Sequence, residues 1–136
     1  MSLESRHVSV FISADPAVVY DYASDPALLP EWAAGLAGGI DQEEGRWIAR
    51  SPFGVVEVRF APRNEFGVLD HEVVMPDGTV VLNPMRVVPA EGGAEVIFTV
   101  RRRDDMTAEQ LASDVAAVEA DLGALRRRLE ARGRDR

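Results

Sequence analysis

Cysteine is absent from the 136 residues, and histidine occurs only as His7 and His71. Neither a disulfide framework nor a thiolate or poly-histidine metal site can be assembled from such a chain, so structural zinc is excluded and no cofactor is expected. Lysine is absent too: all 15 cations are arginine, outnumbered by 23 acids, for a net charge of −8. The clustered positive field that a phosphate backbone requires is missing, which disfavours nucleic acid as a partner. No apolar run approaches the ~20 residues of a membrane span, and Met1-Ser2-Leu3-Glu4 leads into a strand pattern with no basic start or signal-like core. The expectation is a soluble, cytoplasmic chain forming one domain over residues 1–136.

What the chain does hold is alternation. "HVSVFIS" (7–13) reads as a strand with Val8, Val10 and Ile12 on one face. Asp15-Pro16 then supplies a helix N-cap and a proline at the first helical position, with Val18, Val19 and Tyr22 as the buried stripe. Asp25-Pro26 repeats the device, predicting a second short helix over "PALLPEWAAGL", bent or interrupted at Pro30. After Gly38-Gly39 the period becomes two: "GIDQEE" weakly, then "RWIARS", "GVVEVRFA", "GVLDHEVVM", "TVVLNPMRVV" and "AEVIFTVRRR", separated by turn residues. Neighbouring strands in such a run form an antiparallel sheet.

The last segment is helical. Thr107 and Gln110 form a capping box, and Met106 and Leu111 a hydrophobic staple. Leu111, Val115, Val118, Leu122, Leu125 and Leu129 draw one apolar stripe along the helix. Packing on the chain's own sheet is favoured over a coiled-coil dimer, because the stripe lasts under three heptads and Gly123 weakens the helix midway. The oligomeric state stays open, with a dimer among the options. The tail "RRRLEARGRDR" is expected to fray.

Within "VLDHEVVMPDGTVVLNPMRVV" (68–88), Pro76-Asp77-Gly78 has the composition of a three-residue hairpin loop with a bulge. That loop sets Met75 against Thr79, Val73 against Val81, His71 against Asn83 and Leu69 against Met85, all on one side; a two-residue Asp-Gly turn would instead put His71 opposite Pro84, with the same inward face. Charged Asp70, Glu72 and Arg86 take the other side with Leu82, so His71 and Asn83 form a polar pair on the covered face. The same polarity test turns Trp47, Ala49, Val56, Val58, Phe60, Val96, Phe98 and Val100 inward.

The order of strand, two short helices, long antiparallel run and C-terminal amphipathic helix resembles the START-related helix-grip superfamily (SRPBCC), which includes birch-pollen allergens and polyketide cyclase/dehydratases. "VSVFISADPAVVYDYASDPALLPEW" looks like that group's first strand and helix pair, through Ile12, Ala14, Pro16, Asp25, Pro26 and Trp32. "FGVLDHEVVMPDGTVVLNPMRVVP" is similar to a bacterial subgroup, and the resemblance spans nearly the whole chain. It implies an α+β helix-grip fold, a curved antiparallel sheet of six to seven strands wrapped around the long helix, with a cavity between them.

That cavity would hold a small hydrophobic or amphipathic molecule: a lipid, a polyketide or an aromatic metabolite. Candidate lining residues on the sheet are Trp47, Val58, Phe60, Leu69, His71, Val73, Asn83, Met85, Phe98 and Val100; on the helix they are Val115, Val118 and Leu122. Trp32 is placed equally as core or cavity mouth, and Trp47 leans towards core. Of the arginine runs, 101–103 and 126–128, only Arg102 has an inward register, where it could meet a ligand carboxylate.

His71 could act as a general acid/base with Asn83 orienting it. The plainer reading is a buried histidine satisfied by Asn83 or by water, and no inward carboxylate is identifiable to complete a catalytic pair. A third option is a docking module, because the heat-shock-protein ATPase activators share this fold. Nothing in the sequence marks the exposed apolar patch that such a role needs.

Overall fold

The computed structural model describes residues 4–134. The opening Met1-Ser2-Leu3 and the last two residues, on which the readings of a missing signal and a fraying tail partly rest, lie outside the described residues.

Strand β1 (Ser5–Ile12) leads into α1 (Pro16–Ala23), capped by Asp15, whose Oδ1 accepts from the Ala17 N–H at 2.8 Å. Besides Val19 and Tyr22, the buried face of α1 includes Tyr20, whose hydroxyl accepts from the Asn64 N–H. Asp25 repeats the cap on the Ala27 N–H at 3.0 Å and starts a 3₁₀ turn, Pro26–Leu28, that runs into α2 (Leu29–Trp32). The interruption expected at Pro30 falls elsewhere. Pro30 lies in the first turn of α2, where its missing N–H costs nothing, and α2 ends at Ala33, whose extended backbone leads to a second 3₁₀ turn, Ala34–Leu36.

The remaining strands are β2 (Ile40–Glu43), β3 (Arg46–Ser51), β4 (Gly54–Phe60), β5 (His71–Val74), β6 (Val80–Asn83), β7 (Met85–Ala90) and β8 (Gly93–Arg101). They pair antiparallel in the orders β1-β8-β7 and β2-β3-β4-β5-β6. The segment 79–88, read from sequence as one strand, therefore breaks at Pro84. Proline has no N–H for a ladder, so β6 stays on β5 while β7 crosses to β8.

The two parts remain stitched together. Leu69 N–H donates to Met85 O at 2.8 Å, Val87 N–H to Gly67 O at 2.9 Å and Thr99 N–H to Pro84 O at 2.9 Å, while Val68 bridges Arg86. These bonds join a three-stranded and a five-stranded antiparallel sheet across a fold line at Asn83-Pro84, with eight strands among the described residues where six to seven were expected.

The hairpin register is the one that the loop dictates. Gly78 takes φ +90°, Met75 N–H donates to Thr79 O, and His71 lies opposite Asn83 with Val73 opposite Val81. The long connection from β4 to β5 is organised by one side chain. Asn64 donates to the carbonyls of Pro62 and Val68 and accepts from the N–H groups of Phe66 and Val68.

Helix α3 (Ala108–Arg134) opens with the expected reciprocal bonds, Gln110 N–H to Thr107 Oγ1 at 3.1 Å and Thr107 N–H to Gln110 Oε1 at 2.8 Å. It continues through Arg134, past the point where fraying was expected. It beds on β1, β8 and α2, burying Leu111, Leu122, Leu125 and Leu129 against the chain's own core, so the stripe needs no coiled-coil partner. Between the buried leucines, Val115 and Val118 are only half-buried.

Candidate functional site

The break in burial at Val115 and Val118 has a counterpart on the sheet. Val73 and Met75 of the hairpin's first arm, and Val81 and Asn83 of its second, point to the covered face yet are only half-buried. Strand alternation fixes their direction, and α3 beds on β1 and β8 beside them. These half-buried positions of the hairpin and of the first half of the helix, of which Val73, Met75 and Val118 pack against the main core cluster, make up the candidate site.

His71 lies at its inner end. It is 7 % exposed and framed by two rings, Phe60 at 4.9 Å between centroids and Phe98 at 5.7 Å edge-on. Phe98, like Val115 and Val118, packs against the buried cluster of Val100, Met106 and Leu111. Sequence alternation placed the imidazole inward, and the structure agrees.

Its hydrogen bonding differs from expectation. Asn83 is opposite His71 in the ladder, but no bond joins the two side chains. Instead Nδ1 lies 3.0 Å from the Leu69 carbonyl oxygen, which can only accept, so Nδ1 carries the proton and Nε2 presents a lone pair. Nε2 has no protein partner among the described residues, and it is not enclosed as Trp32 Nε1 is, so solvent still reaches it. Burial pushes the imidazole below its ordinary pKa, against the weaker opposing pulls of the Leu69 carbonyl and Asp70. The ring is thus neutral near pH 7, in a fixed tautomer, with one acceptor open.

The other sequence candidates divide. Val58, Leu69, Met85, Val100 and Leu122 are packed into the core, with Met85 at 0 % exposure and Leu69 at 1 %. Trp47, Phe60, Val73, Asn83, Phe98, Val115 and Val118 stay half-buried. Of the two readings of Trp32, core is the one observed: it is sealed in, its indole N–H enclosed and without a partner among the described residues, whereas Trp47, which by sequence leans towards core, is only half-buried on the inner face.

Arg102 is engaged within the chain. Its Nε donates to the Met106 carbonyl at 3.1 Å and its Nη1 lies 3.7 Å from Glu4, which ties the strand end to the helix start.

Two features escaped the sequence reading. Asp121 is a half-buried carboxylate on α3, one residue before Leu122, and its Oδ1 accepts from the Ala34 N–H at 3.1 Å. Burial raises its pKa, opposed by that bond. Its spacing from Val118 was the available signal, since i+3 lies on the same helix side. An exposed apolar pair also shares the outer face of β6, Val80 and Leu82, each 48 % exposed. Alternation concealed it because outward valines read as ordinary strand formers.

Two surface clefts lie elsewhere. One, of about 340 Å³, is lined by Tyr20, Asp21, Ser24, Asp25, Ala61 and Arg63; the other, of about 390 Å³, lies where the β1–α1 connection meets the β7–β8 turn. Among the described residues, no helix is long and apolar enough to cross a membrane.

Comparison with known proteins agrees with this architecture. A family model described as "Polyketide cyclase / dehydrase and lipid transport" matches residues 5–130. Among solved structures, the protein XoxI from Bacillus cereus is 15% identical with a TM-score of 0.73, over 93% of this chain and 96% of its own. Ara h 8.0201 is 14% identical with a TM-score of 0.71, over 96% and 99%. DynU16, from the dynemicin biosynthetic locus, is 15% identical with a TM-score of 0.70, over 93% of this chain and 47% of its own. At these identities the likeness establishes the fold. No curated protein matches the sequence.

Proposed function

The chain belongs to the polyketide cyclase / dehydrase and lipid transport family, and on that premise we propose that it binds a small hydrophobic or amphipathic molecule between the sheet and α3. The observation that carries this reading is the paired lapse in burial. Inward valines of α3 and inward residues of the hairpin are left half-covered around a histidine whose Nε2 is unpartnered. A solid core of this composition would close over such groups, because an exposed apolar face and an unpaired polar atom both cost free energy. Lipids, polyketides and aromatic metabolites all fit a gap that is apolar with isolated polar points.

The test is titration with an environment-sensitive apolar dye, for wild type and for Val118→Trp. A half-buried valine can enlarge into the gap without displacing core, so the variant should keep its melting temperature and lose at least about tenfold in dye affinity. Equal binding by the two proteins would place the dye elsewhere and sink the reading.

A second reading, acid/base catalysis of the cyclase, dehydratase or isomerase type, is favoured by the fixed tautomer of His71. A neutral imidazole with a free Nε2 lone pair can take a proton from a bound substrate, and Asn83 beside it can hold a carbonyl. His71→Ala or Asn83→Ala separates the readings: an enzyme loses turnover while ligand affinity stays within a few fold, and a carrier has no turnover to lose.

A further inference from the structure

Resting on the ligand-binding reading above, we propose that the gap selects neutral, hydroxyl-bearing aromatic molecules, phenols and enols, over carboxylates and other anions. The first ground is the absence of a free cation. Arg46, Arg50, Arg59 and Arg101 are exposed on the outer face or at strand ends, and Arg86 pairs with Asp70 on the outer side. Arg102, which alone has an inward register, is committed to Met106 O and Glu4. Among the described residues, no uncommitted guanidinium faces the gap. An anion entering it would lose its hydration without a counter-charge, which costs several kcal/mol in a low-dielectric site.

The second ground is the polarity of His71. Its Nδ1 proton is spent on the Leu69 carbonyl, so the group offered inward is an acceptor. An O–H completes it; a carboxylate sets lone pair against lone pair. Charging the ring to greet an anion is opposed by its enclosure between Phe60 and Phe98. The third ground is shape. Phe60, Phe98 and half-exposed Trp47 present ring faces and edges on the inner side of the sheet, suited to a planar aromatic partner.

The probes are naphthalene, 2-naphthol and 2-naphthoic acid, matched in ring and differing in the polar group, measured by equilibrium dialysis at neutral pH, where the acid is ionised and the naphthol is not. Naphthol should bind at least about tenfold tighter than naphthoate, and tighter than naphthalene. The imidazole ¹⁵N resonance of Nε2 should shift as an acceptor does on adding naphthol. In His71→Phe the naphthol advantage over naphthalene should vanish. Naphthoate binding as tightly as naphthol, or driving His71 to the doubly protonated form, overturns the selectivity and leaves ligand binding standing. Failure of all three probes to bind overturns both, and the wild-type comparison needs no variant to fold.

Discussion

His71 couples the site to the stability of the chain. Burial holds its folded pKa below the ordinary 6.5, so the unfolded chain takes up its proton first as the solution is acidified. The stability that depends on a neutral His71 is therefore complete above pH 6.5 and is lost as pH falls below it towards the folded value. In urea titrations between neutral and mildly acid pH, wild type should weaken faster than His71→Phe; parallel declines would mean that the imidazole is not held neutral. Alternation showed that His71 points inward, and nothing more. The Leu69 carbonyl two residues back could not be read as its partner, because that contact depends on a side-chain rotamer that no pattern encodes. Asn83 looked the obvious partner because it is opposite in the ladder, but the carbonyl of Leu69 claims Nδ1 instead.

Among the connections, the span from β4 to β5 carries the most concentrated structural demand. Gly67 has φ +71°, and a Cβ there would lie 2.2 Å from the Val87 carbonyl oxygen, the strand that Gly67 must approach to hold the sheet together. Gly67→Ala should cost more than about 2 kcal/mol, combining backbone strain with the loss of the Val87 bond, as read from chemical denaturation. Asn64→Ala should cost about 2 kcal/mol, since its bonds organise the same span. A melting temperature within a degree of wild type for either variant would refute that role. The hairpin was legible because Pro76-Asp77-Gly78 dictates one register. The break at Pro84 was written in the sequence as plainly, but the apolar alternation continues through it, Leu82 outward and Met85 inward, and hides the change of partner.

Taken together, the helices are locked to one another at the end remote from the candidate site. Tyr22 of α1 donates to Glu31 of α2 at 2.6 Å, Arg128 of α3 approaches Glu31 at 3.9 Å, and the Arg132 guanidinium lies over the Tyr22 ring at 5.1 Å. Burial, then the Glu31 hydrogen bond and charge, push the Tyr22 phenol up to about 12. Because the folded pKa is raised above 10.0, this clasp contributes fully below that value and is lost as pH rises through about 12. An ultraviolet titration should show a late tyrosine ionisation that Tyr22→Phe removes; a variant that keeps the late phase would assign it elsewhere. The antiparallel run and the bed of α3 followed from periodicity and the helix-grip arrangement from the resemblance, whereas this clasp ties the neighbouring α1 and α2 to the distant α3 and had no local signature.

The crease at Asn83-Pro84 leaves β6 as an edge. Among the described residues, β6 pairs with β5 alone, whereas β5 is itself held on β4, and β7 is held on β8 and on the Gly67–Leu69 segment. Amide protons of Val80 and Leu82 should therefore trade with deuterium far sooner than those of β8, which has a neighbour on either side.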